Sequence, residues 1–328
     1  MANIRVLSGI RSSGTLHLGN YLGALRSWKE LQHQYECYYV IADWHALTTD
    51  YADTDALKEN MLDNMAGFLA AGLDPEKCTL FIQSHVPEHA ELHLLLSMIT
   101  PVPWLERVPS YKELQQQIKD KDLTNYGFLG YPVLQTADII MYKANYVPVG
   151  IDQVPHIELA RDIARRFNHL YKSVFPEPQP LLTETPKVPG LDGRKMSKSY
   201  NNALYLTDAP EEIDSKIKVM MTDPARKRRS DPGNPEVCPV FDFHKIYSPQ
   251  ETIALVDREC RTAGIGCIDC KKMMSTNLLQ EMRPILDKRR ELEERPQEVL
   301  AVFEDGSKKA QRTAQATMAE VREAMKLL

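Results

Sequence analysis

The sequence predicts an α/β domain built on a parallel sheet, followed by a smaller all-helical domain. Up to about residue 206, short apolar β-rich runs alternate with helical patterns, as strands joined by crossover helices require. Beyond that point strand patterns disappear and three-and-four spacing of apolar residues takes over. The chain has 328 residues, 43% of them hydrophobic and 26% charged, enough for about two domains with real cores.

Residues 4–10 form the first strand-like run, ended by the turn Arg11-Ser12-Ser13-Gly14. Leu18, Tyr21, Leu22, Leu25 and Trp28 then recur with helical spacing. Further buried strands are expected over 38–42 and 79–83, with a helix over 54–71 between them. Helices are expected over 90–98, 111–119 and 137–142, a short strand over 146–149 and a long helix over 153–167. Pro176-Glu177-Pro178-Gln179-Pro180 opens a Pro/Gly-rich loop. After it, helical patterns cover 211–221, 249–260, 274–295, 296–304 and 308–328. The expected division is a Rossmann-like domain over 1–206 and a helical domain over 207–328.

Charge narrows the function. Lys and Arg number 40 against 45 Asp and Glu, a net −5, which excludes a bulk-basic nucleic-acid coat and leaves polyanions to local patches. No apolar run approaches the ~18 residues of a membrane span, and the first residues lack the pattern of a secretory leader. A cytoplasmic protein without a membrane partner is expected.

Two motifs carry chemistry. Lys195-Met196-Ser197-Lys198-Ser199 follows a loop containing Gly190 and Gly193. Two ammonium groups on such a loop suit polyphosphate, because they can close on charge that builds as pyrophosphate leaves; a solvated surface loop would read the same way. Gly14-Thr15-Leu16-His17-Leu18-Gly19-Asn20 falls at a strand-to-helix junction. There Gly19 permits close approach of a nucleotide and the helix N-terminus offers unpaired N–H groups to phosphate. Simple helix capping would use the same residues.

Together and in this order, His17-Leu18-Gly19-Asn20 and the 195–199 loop resemble the paired signatures of class I aminoacyl-tRNA synthetases, the second letter for letter. Three further stretches are similar to tryptophanyl-tRNA synthetases: Val147-Pro148-Val149-Gly150-Ile151-Asp152-Gln153, Ala42-Asp43-Trp44-His45-Ala46-Leu47-Thr48, and Ser13-Gly14 through Leu25. The resemblance runs along essentially the whole chain. It implies a two-step ligase in which the tryptophan carboxylate attacks the α-phosphorus of ATP, accompanied by Mg²⁺, and the adenylate is then passed to tRNA(Trp). A carboxylate nucleophile needs no general base at neutral pH, so rate must come from positioning and charge stabilisation.

The resemblance also implies site roles. His17, Lys195 and Lys198 would act in catalysis. Arg11, Ser12, Ser13, Gly19 and Asn20 would line the nucleotide side with Gly150, Ile151, Asp152 and Val188; Lys112 and the loop residues Met196, Ser197 and Ser199 would join the two lysines around phosphate. His45, Tyr131, Gln135, Asp138, Val147, Val149 and Gln153 would build the tryptophan side, with Asp138 accepting the indole N–H. A site that hydrogen-bonds a substrate N–H rejects analogues lacking it, on the order of 10⁴-fold or more in other synthetases. Tyr131 and Asp138, seven apart, are expected on a loop and the first turns of the following helix, facing one pocket. At two positions the chain departs from better-known bacterial members: Arg11 stands where they have Gln, and Gln135 where they have Met. Tyr131, Gln135 and Asp138 together echo the tyrosyl enzymes, so tyrosine is the alternative substrate. A non-catalytic paralogue that binds RNA or a partner protein is an alternative of another class. A homodimer is implied by the family alone.

Cys238, Cys260, Cys267 and Cys270 form a C-x21-C-x6-C-x2-C quartet in the helical segment, apart from Cys37 and Cys78. In an intracellular chain such a quartet points to metal, and spacing alone admits zinc or a [4Fe–4S] cluster. Gly266-Cys267-Ile268-Asp269-Cys270-Lys271-Lys272 resembles the iron–sulfur subset of tryptophanyl enzymes, which implies the cluster. The helical domain would then be the anticodon-binding part of the chain. The nearby run Arg226-Lys227-Arg228-Arg229 is either a solvated loop or a contact for tRNA phosphate.

Overall fold

Five parallel strands organise the molecule. In the computed structural model, which describes residues 4–109, 122–182 and 188–328, they are β1 (Arg5–Arg11), β2 (Glu36–Ala42), β3 (Cys78–Ile82), β4 (Tyr146–Val149) and β5 (Gln179–Leu182), in the order β3-β2-β1-β4-β5. All four neighbouring pairs run parallel. Chain order reverses between β1 and β4, and at such a switch point the loops leaving the two strands diverge and open a crevice at their carboxyl ends. β2 is buried along six of its seven residues, as a central strand covered on both faces must be.

The first crossover helix, α1, runs from Leu18–Asn20 through a π turn at Tyr21–Leu25 into Arg26–Leu31. Its inward face places Trp28 in a stack on Tyr39 of β2, ring centroids 4.7 Å apart. A helix not foreseen in the sequence, α2 (Asp43–Asp50), follows β2 directly. Then come α3 (Leu57–Ala70), α4 (Glu88–Ser97) and α5 (Val102–Glu106). The expected helix over 111–119, and Lys112 with it, lies outside the described residues.

Tyr131 is not on a loop. Helix α6 (Tyr126–Met141) begins eleven residues before the expected start at 137, with Asn125 as its cap: the Asn125 Oδ1 accepts from the Phe128 N–H at 2.9 Å. Pro132 within the helix obscures the pattern in sequence, because an interior proline removes a backbone hydrogen bond and ordinarily kinks or ends a helix. Tyr131 and Asp138 therefore stand two turns apart on one helix face. Helix α7 (Val154–Leu170) follows β4. β5 forms in the Pro-rich stretch where the sequence suggests loop; an edge position tolerates its proline.

The remaining elements are α8 (Pro210–Val219), α9 (Pro239–Tyr247), α10 (Gln250–Arg261), α11 (Cys267–Glu293) and α12 (Pro296–Met325). The two helices expected over 296–304 and 308–328 are one. Gly306 lies against edge strand β3, where an added Cβ would collide with the Leu80 carbonyl, and Ser307 Oγ accepts from the Ile82 N–H at 3.1 Å. The apparent break in the pattern is thus the place where the helix touches the sheet. Ala310, Ala314, Met318 and Val321 continue that buried stripe. Buried Arg289 of α11 pairs with Asp63 of α3, whose other oxygen accepts from the Leu16 N–H at 3.3 Å. This tie holds the helical segment to the residues just before His17. Among the described residues, no helix is long and apolar enough to cross a membrane.

Candidate active site

The two sequence motifs are brought together by backbone pairing. The Leu18 N–H donates to the Leu204 carbonyl at 2.8 Å and the Leu206 N–H to the Leu16 carbonyl at 2.9 Å, so the chain after the lysine loop zips onto the segment around His17. His17 caps α1 reciprocally: its Nδ1 accepts from the Asn20 N–H at 3.3 Å, and Asn20 Oδ1 accepts from the His17 N–H at 3.0 Å. The reciprocal cap is what the structure shows for these two residues. A Cβ on Gly19 would meet the His17 ring at 2.9 Å, with Met196 beyond it.

Asn202, which the sequence reading overlooked, shapes the lysine loop. It is buried; its Oδ1 accepts from the Ser197 N–H at 2.8 Å, and its Nδ2 donates to Asp192 at 2.7 Å and to the Lys195 carbonyl at 3.2 Å. The Val188 carbonyl accepts from the Met196 N–H at 3.2 Å, and both side chains are buried. Lys195 is exposed, while Lys198 reaches back over Gly14 (φ +122°), where a Cβ would lie 3.1 Å from its Nζ. Ser199 falls in the short turn Lys198–Tyr200.

Burial sets the charge states here. Lys198 is lowered to about 8, chiefly by desolvation, with Asp63 opposing and Arg11 reinforcing the shift. His17 is lowered to about 4 by burial and by Lys198, so it is neutral at pH 7. Ser12 is buried and its Oγ has no hydrogen-bond partner among the described residues, while the Ser13 N–H turns back to the Arg11 carbonyl at 2.8 Å. Arg11 donates to Thr49 Oγ1 at 3.3 Å.

Beside these groups a cavity of about 400 Å³ opens at the carboxyl ends of β1, β2 and β4. Arg11, His45, Tyr131, Gln135, Asp138, Val147 and Gln153 line it, as do Thr48, Phe128 and His156, which the sequence reading did not single out. Val149 is absent from the lining and packs partly buried against the core. Gly150, Ile151 and Asp152 form the turn after β4; Asp152 accepts from Gln153 Nε2 at 3.1 Å, and Ile151 is exposed. Tyr131 Oη and His156 Nε2 are 2.9 Å apart.

Asp138 is the buried charge of this cavity. It accepts from Gln83 Nε2 at 2.9 and 2.8 Å and meets His89 Nδ1 at 2.6 Å and His45 Nε2 at 2.8 Å. Burial by itself would raise its pKa, but His89 beside it and the hydrogen bonds from His45 and His89 hold it well below the usual carboxylate range. His89 in turn reaches Tyr142 Oη through Nε2 at 2.7 Å. Gln83 and His89 were missed in sequence. Gln83 immediately follows β3, and polar residues at the carboxyl ends of parallel strands are the signal that could have found it. The cavity therefore offers a largely apolar and aromatic chamber with one ionised acceptor, next to a cationic loop.

The four cysteines lie elsewhere, around the start of α11. Cys267 and Cys270 occupy its first turn rather than a free turn, Cys238 precedes α9 and Cys260 ends α10. Burial pushes Cys270 up to about 12, and the charges of Cys238, Cys260 and Cys267 all add to that rise. Gly233 gives Cys260 room, since a Cβ there would lie 2.8 Å from its Sγ, and Arg226 Nη1 approaches the same sulfur at 3.8 Å. Among the described residues, no group of three or more His, Cys, Asp or Glu side chains is arranged to hold a single metal ion.

A parallel sheet with its switch-point crevice, a capped His-x-Gly-Asn turn and a Lys-Met-Ser-Lys-Ser loop define a class I adenylate-forming architecture. Residues 1–282 match the family described as tRNA synthetases class I (W and Y). The chain is 54% identical to the tryptophan–tRNA ligase of Thermotoga maritima over 327 residues, covering 99% of this chain and 100% of that one. It is 44% identical to the tryptophan–tRNA ligase of Aquifex aeolicus, with 99% and 100% covered. The crystal structure of tryptophanyl-tRNA synthetase from Campylobacter jejuni, complexed with ADP and tryptophan, superposes with a TM-score of 0.89 at 33% identity and covers 99% of this chain and 100% of that one. The chain belongs to the tryptophanyl-tRNA synthetase family of class I. Of the two amino acids left open by sequence, tryptophan is the one these relatives carry in their names.

Proposed function

We propose that the chain joins L-tryptophan to tRNA(Trp) in two steps, forming tryptophanyl-adenylate and pyrophosphate from ATP with Mg²⁺ and then transferring the aminoacyl group. The observation that carries this reading is the buried, ionised Asp138 in an aromatic cavity beside the lysine loop. In this reading Asp138 accepts the indole N–H and Tyr131, His45, Gln135, Val147 and Gln153 surround the ring. Ser12, with its unpartnered buried hydroxyl, and Arg11, Ser13, Gly19, Asn20, Gly150, Ile151, Asp152 and Val188 serve the nucleotide. Lys195 and Lys198 meet the charge that develops on the departing pyrophosphate, and neutral His17 can donate a hydrogen bond there without adding another buried cation. Tryptophan-dependent ATP–pyrophosphate exchange tests the proposal. Exchange with tryptophan and none with tyrosine supports it, whereas absence of exchange under any amino acid would return the chain to a binding role.

The cysteine quartet is assigned a [4Fe–4S] cluster, which would fasten the turns around Cys238 and Cys260 to α11. What supports it is the resemblance of residues 266–272 to the iron–sulfur subset, together with the placement of Cys238, Cys260, Cys267 and Cys270 around the start of α11. Protein purified without oxygen should be brown and carry about four irons and four sulfides per chain. A colourless protein with one zinc per chain would overturn the assignment. Residues 207–328 are assigned to the anticodon side of tRNA, with the 226–229 basic run on phosphate. A homodimer in the cytoplasm completes the proposal; the exposed Leu94, Met98, Val102 and Tyr126 offer an apolar face for a second copy.

A further inference from the structure

We propose that His45 is a displaceable occupant of Asp138, holding the acceptor position that the indole N–H takes over when tryptophan binds. The inference rests on the reading of this cavity as the tryptophan site. A carboxylate has about four lone-pair positions on its two oxygens. In Asp138, Oδ1 is met by His89 at 2.6 Å and Gln83 at 2.9 Å, and Oδ2 by His45 and by Gln83, each at 2.8 Å. Four contacts fill the acceptor, so an incoming N–H has to displace one of them.

Two of the donors are locked. Gln83 is fully buried, and its Oε1 is engaged by the Trp44 N–H at 3.1 Å. His89 is fully buried, with its second nitrogen on Tyr142 Oη at 2.7 Å and its ring between Phe81 and Tyr142. His45 differs from both. It lines the cavity, its side chain is 14% exposed, and among the described residues its ring makes a single hydrogen bond, the one to Asp138. Rotation of this ring opens the acceptor on the side facing the cavity and leaves the other donors in place.

The exchange has a consequence for selectivity. While His45 is present, a ligand without the N–H leaves the His45–Asp138 bond intact and so forfeits less than it would against an open acceptor position. With the donor removed, only an N–H ligand restores the fourth contact to the buried carboxylate, and discrimination sharpens. Dissociation constants for tryptophan and for β-(3-benzothienyl)alanine, in which sulfur replaces the indole N–H, measure this by calorimetry. Their ratio should rise about tenfold in His45→Leu, the effect of one charge-assisted hydrogen bond left unmade. In His45→Gln, which still donates, it should stay within about twofold of the unmodified chain. An unchanged or smaller ratio in His45→Leu overturns the proposal. Asp138→Asn tests the underlying reading separately: its ratio should fall toward one, and an unaltered ratio there means that Asp138 is not the indole acceptor at all. Should His45→Leu fail to fold, ¹⁵N-histidine spectra of the unmodified chain decide. The His45 ring should lose its hydrogen-bonded signature with tryptophan and keep it with the sulfur analogue; a ring unaffected by tryptophan refutes the exchange.

Discussion

At the aromatic end of the cleft Asp138 is buried yet ionised, because the donors gathered around it outweigh the cost of burial. At the lysine-loop end, His17 and Lys198 are half-buried and the groups around them compensate too little, so both are pushed toward their neutral forms. On the proposed reading the first arrangement is assembled before any ligand arrives, His45 being the one donor that gives way, and it selects a substrate by shape and one hydrogen bond. The second reaches its charged form most favourably when an anion is beside it, so its contribution should grow as phosphate charge develops. On the proposed reading, recognition and rate then fall on different residues.

The largest effect that could break this contrast is expected at the loop. Lys195→Ala or Lys198→Ala should lower kcat for adenylate formation by about 10²–10³, as loss of a charge stabilising the transition state does; an intact kcat with a raised KM for ATP would place both lysines in ground-state binding. Asp138→Asn should cost about 2–4 kcal/mol in kcat/KM for tryptophan and leave the KM for ATP within a few-fold. Gly306→Ala supplies a control that should move neither end. Its Cβ strikes the Leu80 carbonyl, so thermal unfolding should show a loss of about 1–3 kcal/mol, with unchanged specific activity in the folded fraction.

The smallest effect is in pH. With Lys198 at about 8, kcat/KM for ATP should fall a few-fold as pH rises through that value, and Lys198→Arg should abolish the fall. The stability sign is opposite. Between about 8 and the ordinary lysine value of 10.5 the unfolded chain binds the extra proton, so stability rises with pH across that window. His17 acts at the acid side: lowered from 6.5 to about 4, it contributes stability that is lost as pH falls through that interval. Urea unfolding of Lys198→Met and His17→Gln should lack the respective slopes.

Much of the cleft was legible because its parts are local. The lysine loop and the His-x-Gly-Asn turn are contiguous text, and β1, β2, β3 and β4 show as short apolar runs. What escaped was set by contacts distant in sequence. Gln83 and His89 matter only because α6 brings Asp138 to them, 55 and 49 residues away. Asn202 is an ordinary polar residue until the loop folds over it. α2 has too short a pattern to stand out beside β2, and Pro132 and Gly306 look like breaks although each helix continues through them. Tertiary packing overrides local propensity at both places.

Equilibrium binding of tryptophan to the Lys195→Ala/Lys198→Ala double variant tests the separation of recognition from rate most directly. Calorimetry should give a dissociation constant within a few-fold of the unmodified chain, although pyrophosphate exchange is lost. Loss of tryptophan binding in a well-folded double variant would contradict the separation and make the two ends of the cleft a single unit.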